Sequence, residues 1–483
     1  MTGENTPLVT FTFLDLIILG GYFGAVLVAG FTGRGKKGDD AVQYLLAGRS
    51  LTTPVFVMTL VSTWYGGILG VGEFSYLYGI SNWVVQGVPY YLFAALFAFL
   101  LAGRIRASNL LTIPDKLHSA YDRKTGLLGA FLTFLLMTPA PYVLMLAILL
   151  QVVTGWSLLL CLLLGTTAAT VYLWAGGFRS DVRTDIVEFF AMFVGFAVIL
   201  PYAYGKFGGP EFVAAHVPPL HLRWDGGNGT QFVLVWFFIA LWTLVDPTFH
   251  QRCYAARSGS VARNGILVSI FFWLVFDAMT ATAGLYARAA LPGLDHPTMA
   301  FPLLAEATLP PGAKGMFFVG MLATIMSTLN SLAFISATTL GRDILWRGAR
   351  GRIKISETTL TRIGLLVSAP LSVVLALVIP SVVKLWYVIG TTVVPGLLIP
   401  LVTAYFEPVR VSPRYAFAAM LLAWLTSLTW MLSGWSRGLV TTGYPLGIEP
   451  MYPGLLVGVV VWGIGMVGKR TGHGARAVPG HLY

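Results

Sequence analysis

A stretch two-thirds of the way along the chain, GMFFVGMLATIMSTLNSLAFISATTLGRD (Gly315 to Asp343), carries hydroxyls at Thr324, Ser327, Thr328 and Ser331. The spacing i, i+3, i+4, i+7 stacks them on one helix face, with Asn330 beside them. Such oxygens do not ionise, but they suit a hard cation that prefers oxygen ligands. Ser and Thr in apolar helices also bond back to their own backbone or pack small against neighbours. What surrounds the stripe therefore decides its meaning.

The acids Asp15, Glu73, Asp185, Glu188, Asp246 and Asp277 fall in or at the ends of apolar spans. A charge at the bilayer centre costs at least about 2.5–3.5 kcal/mol, so these residues default to function or to an internal partner. Asp185 and Glu188 share a helix face at the inner start of a span. They suit a water-exposed ion exit, or an interfacial pair with Arg179 or Arg183. Asp15 is expected to be hydrated at an outer end, and Asp277 has no evident partner. Only His250 of the seven histidines lies near a span, so a haem or di-metal centre lacks ligands. There is no GKS/T phosphate loop, and Cys161 and Cys253 have no metal or disulfide spacing. An enzyme is not expected.

These groups must be positioned by membrane helices. The 483 residues are 56% hydrophobic and 11% charged, where a soluble domain is about 25% charged. We expect an all-α integral membrane protein of about thirteen spans, forming a single transporter domain over 1–483. With the N-terminus outside and the C-terminus in the cytoplasm, 25 of the 31 Lys and Arg residues fall on inner segments. Arg252 is counted among these loop cations. The net charge of +11 is thus explained by the lipid bilayer rather than nucleic acid. The start, MTGENTPLVTFTF, lacks a signal peptide's basic segment and cleavage site, so the first span is expected to stay.

Two spans read as broken. Gly66, Gly67, Gly70 and Gly72 interrupt the second, each costing about 1 kcal/mol against alanine in a helix. The competing reading is close packing through Gly66 and Gly70. Asp246-Pro247 interrupts the seventh. Each break opens a group of five spans, and because five is odd the groups cross in opposite senses. Paired breaks at corresponding places point to a secondary transporter's binding site. This gives a peripheral helix (11–32), a first repeat (51–206), an inverted second repeat (231–406), two further helices (414–468) and a cytoplasmic tail (469–483).

YLLAGRSL (44–51), GGFRSDVRTD (176–185), QRCYAARS (251–258) and MSTLNSLAF with GRDIL (326–345) resemble, in order, the motifs of the sodium:solute symporter family. The resemblance implies a LeuT-like core of five plus five helices that moves a solute inward with sodium. It implies a primary sodium held by carbonyls of Ser62, Tyr65 and Thr324 and hydroxyls of Ser327 and Thr328. In some members a second sodium lies nearer the cytoplasm, where Asp185, Ser327, Asn330 and Ser331 fall here; Asn330 replaces those members' serine. The solute is expected at the glycine break, near Trp64, Gly66, Gly67, Leu69 and Glu73, with Gln86, Tyr90, Thr243, Asp246 and Phe249.

Pro247 is similar to proline carriers, but Trp64 stands where they have Asp. Sugar carriers place several amides in this pocket, where this chain offers mainly Gln86. The expected function is sodium-coupled import of a small solute, such as proline or a related metabolite, by alternating access. Proton coupling through Asp185 or Glu188, a sugar or carboxylate carrier, a transporter-like sensor and a channel are the competing readings. Oligomeric state is not written in the sequence.

Overall fold

The computed structural model describes residues 8–33, 41–171, 173–349, 355–434 and 444–470. The basic residues Arg34, Lys36, Lys37, Arg350, Arg352, Lys354, Arg437 and Arg476, which weigh in the orientation reading, lie outside these. Among the described residues there is no strand, only an isolated bridge between Leu51 and Ala256.

The helices that matter follow in chain order. They are α1 (Phe13–Thr32), α2 (Thr53–Trp64), α3 (Ile68–Tyr78), α4 (Ser81–Ala107), α5 (Arg123–Thr154), α6 (Leu158–Val171) and α7 (Gly176–Phe207). Then come α8 (Gly229–Ile239), α9 (Pro247–Ala255), α10 (Gly259–Ala290), α11 (Ala313–Trp346), α12 (Glu357–Val378), α13 (Val382–Ala404), α14 (Pro413–Gly434) and α15 (Met451–Arg470). Eleven helices are individually long and apolar enough to cross a membrane, counting α8 and α9 as one; α2 and α3 form a further pair bent by 59°. A helix thus stands at each of the thirteen expected positions. The fifth, α6, has only 14 residues, short of the roughly 20 a span needs.

The hub is α11, whose most apolar 18-residue window is 100% buried, against 22% for α1 and for α15. Lipid gives little hydrophobic drive for helices to associate, so tight contact relies on small residues. A Cβ on Gly195 of α7 would lie 2.6 Å from the Gly320 Cα of α11, so the two backbones touch. Asp15 corrects its expectation: it is fully buried. It accepts from the Thr12 amide at 2.9 Å and from the Gly312 and Gly315 amides at 2.8 Å, tying α1 to the start of α11.

Both breaks have local causes. α2 stops at Trp64, and Tyr65, Gly66 and Gly67 pass unwound into α3. A Cβ on Gly66 would fall 1.9 Å from Thr328 Oγ1, and one on Gly67 2.2 Å from the Trp386 ring. The glycines therefore serve close approach as well as unwinding. At the second break Asp246 is extended, and its Oδ1 accepts from the Thr248 amide at 2.7 Å and the Phe249 amide at 3.3 Å. It caps α9, and Pro247 takes the first helical position, where its missing N–H costs nothing. The segments YLLAGRSL and QRCYAARS meet in space: the Leu51 amide donates to the Ala255 carbonyl at 3.1 Å, and the Arg257 amide to the Leu51 carbonyl at 3.0 Å.

Candidate functional site

The hydroxyl stripe of α11 faces the end of α2. Thr328 Oγ1 donates to the Thr63 carbonyl at 2.5 Å, and Thr63 Oγ1 lies 3.5 Å from Ser327 Oγ and 3.2 Å from Ser331 Oγ. Ser327 Oγ donates to Asp185 Oδ1 at 2.5 Å. The last carbonyls of α2 have no following turn to bond, so the break places spare oxygens beside these hydroxyls. Ser62 and Thr324 turn their own hydroxyls back onto the Met58 and Met321 carbonyls, at 2.8 and 2.7 Å. Tyr65 sends its hydroxyl away, to Asp277 and Thr280. Any ligand role of these three residues would thus fall to their carbonyls.

The cluster around Asp185 differs from expectation. Arg252 is not a loop cation: α9 carries it inward to full burial. Its Nη2 donates to Thr63 Oγ1 at 2.6 Å, Ser331 Oγ at 2.8 Å, Thr59 Oγ1 at 3.0 Å and Asp185 Oδ2 at 3.2 Å. Asp181 Oδ2, which sequence reasoning missed, lies 3.6 Å from the same nitrogen and accepts from Ser331. Arg179 and Arg183 do not pair with these acids; they donate to Gln43 and to the Thr32 carbonyl. Asn330 is fully buried, but it projects roughly 100° round the helix from Ser331. Glu188 is also fully buried, not at a wet exit.

Between the breaks lies a cavity of about 120 Å³. Of the expected solute residues, Trp64, Gly67, Gln86, Tyr90 and Asp246 line it. Gly66, Leu69, Glu73, Thr243 and Phe249 are not on its wall. Gly66 abuts Thr328, and Phe249 backs Trp64 with ring centroids 5.1 Å apart. Glu73 instead accepts from Thr298 at 3.3 Å. The wall also holds Tyr142, Trp236, Trp242, Trp386, Thr328 and Asp277. Asp277 acquires its partners here, accepting from the Tyr65 and Tyr91 hydroxyls. Single aromatics inside apolar spans have no sequence signature, which is why these were missed.

A family model described as "Sodium:solute symporter family" matches residues 44–422. The chain belongs to the sodium:solute symporter family. The symporter is 28% identical over 345 residues to a sodium/pantothenate symporter of Haemophilus influenzae, covering 68% of this chain and 71% of that one. It is 25% identical to the sodium/proline symporter of Escherichia coli, covering 92% and 91%. A solved structure of a sodium-coupled sialic acid symporter matches with TM-score 0.77 at 15% identity, over 97% of this chain and all of that one. That likeness shows a shared, LeuT-like fold. Membership makes this symporter a multi-pass membrane transporter rather than an enzyme.

Proposed function

We propose that this symporter imports a small organic solute together with one sodium ion per cycle by alternating access, with its N-terminus outside. One observation carries the reading: Thr328 both lines the cavity and bonds the last turn of α2. An ion held by Ser327, Thr328 and the freed carbonyls of α2 would fix the cavity wall at the glycine break. Filling one site thereby favours the other, which is what coupling requires. Arg252 supports a single ion, since its guanidinium contacts the oxygens of Thr59, Asp185 and Ser331 that would otherwise suit a second cation. Relatives that carry proline and pantothenate keep small metabolites in view as cargo.

A membrane potential supplies about 2.3 kcal/mol per charge per 100 mV, and a tenfold sodium gradient about 1.4 kcal/mol. Their sum, about 3.7 kcal/mol, supports roughly 500-fold accumulation of a neutral solute. The test is solute uptake into proteoliposomes under an imposed sodium gradient. Uptake driven by a pH gradient without sodium would replace this reading with proton coupling, and fluxes far above carrier turnover would replace it with a channel.

A further inference from the structure

The chemistry of the cavity wall narrows the solute. Besides Tyr65, whose hydroxyl turns to Asp277, six aromatic side chains, Trp64, Tyr90, Tyr142, Trp236, Trp242 and Trp386, surround it. They arrive from α2, α4, α5, α8, the turn Trp242–Val245 and α13, so the cage encloses the space and is not one stripe. Ring centroids of Trp64 and Tyr90 are 5.3 Å apart, and those of Tyr142 and Trp386 are 6.4 Å apart. Trp386 packs against the glycines at the break: a Cβ on Gly67, or on Gly70 in the first turn of α3, would fall 2.2 or 2.6 Å from its ring. The break thus creates the seat for the largest aromatic face.

The wall's charge is one-sided. It carries Asp246 and Asp277 and no Lys, Arg or His among the described residues. Asp277 is engaged by Tyr65 and Tyr91. Asp246 spends Oδ1 on the cap of α9, while Oδ2 takes no hydrogen bond among the described residues. The α9 N-terminus offsets only about half a unit charge, and Arg252, the cation that also acts on Asp246, is itself answered by Asp185 at 3.2 Å. Aromatic faces attract cations through their quadrupole, most strongly when water is excluded. A carboxylate-headed solute would instead meet two acids with no basic partner on the wall.

We propose that the solute carries an alkylated ammonium head, seated in this aromatic cage with Asp246 Oδ2 as counter-ion. The cage volume of about 120 Å³ is well above the roughly 10–15 Å³ that a single water needs, so it admits a compact head. Gln86 is the one amide on the wall among the described residues and would take a hydroxyl or similar polar tail.

This inference rests on the symport reading, so its test separates the two. Detergent-solubilised full-length protein is titrated with tetramethylammonium, choline, the alcohol with carbon in place of choline's nitrogen, proline and pantothenate, following tryptophan fluorescence. The ammonium probes should saturate the signal, with choline binding at least tenfold tighter than its uncharged isostere. Asp246→Asn, which retains a capping side chain, should weaken choline at least tenfold, as should Trp386→Leu, with Trp386→Phe recovering most of the loss. Equal binding of the isostere, or saturation by proline or pantothenate without choline, overturns the proposal. Choline that binds but is not moved by a sodium gradient in proteoliposomes would refute symport and leave the cage assignment standing.

Discussion

Arg252 Nη2 lies 3.2 Å from Asp185 Oδ2, and neither side chain is exposed to solvent. A guanidinium at this place answers the charge of Asp185, and partly of Asp181, without an ion. It also joins α9, just past the second break, to α2, just before the first, through Thr59 and Thr63.

Sodium activation of uptake should therefore have a Hill slope near one. Removing one partner of a buried pair typically costs about 3–5 kcal/mol, so Arg252→Ala should lower the thermal midpoint of the purified protein markedly. A wild-type slope of two would show that a second sodium binds despite the guanidinium.

Ser327→Ala and Thr328→Ala should each weaken apparent sodium affinity at least tenfold, about 1.4 kcal/mol, with normal amounts of protein in the membrane. Wild-type sodium dependence in both variants would remove the hydroxyl stripe from the ion site.

Gly66→Ala should abolish sodium-driven uptake, since its Cβ would fall 1.9 Å from Thr328 Oγ1. Gly24→Ala on α1, where a Cβ meets nothing within 4 Å, should be silent. Comparable uptake by the two variants would show that the break does not need this approach.

A second ionic network lies away from the cavity. Asp115, on the short helix Ile113–Ala120, pairs with Arg347 and, at 3.1 Å, with Arg342. Arg342 also reaches Glu357 at 2.7 Å, linking the end of α11 to α12. Burial raises the Asp115 carboxyl, but the two guanidiniums outweigh it and hold the group below its ordinary value. Its stabilising contribution is thus present above the unfolded value of 3.8 and lost only as pH falls through the lower folded value. Asp115→Asn should cost about 3 kcal/mol, read as a lowered thermal midpoint that is the same at pH 6 and pH 8. A deficit that changes between those values would assign the effect to another group.

Much of this protein was legible from one chain. Apolar length marked the spans, the glycine cluster and Asp246-Pro247 marked the breaks, and helical spacing put Thr324, Ser327, Thr328 and Ser331 on one face. These features follow from local rules: the period of a helix, the cost of glycine and the missing donor of proline. Partners across the bundle follow no such rule. Asp277 looked unassigned until α10 was packed beside Tyr65 and Tyr91, and Asp15 looked wet until α11 covered it. Arg252 read as a loop cation because its burial depends on how far α9 slides inward after the break. The sequence alone determined where the helices run, where they break and which oxygens α11 offers. Only the tertiary structure decided which cation those acids face and that the cavity is walled by aromatics, because both depend on side chains converging from helices far apart in the chain.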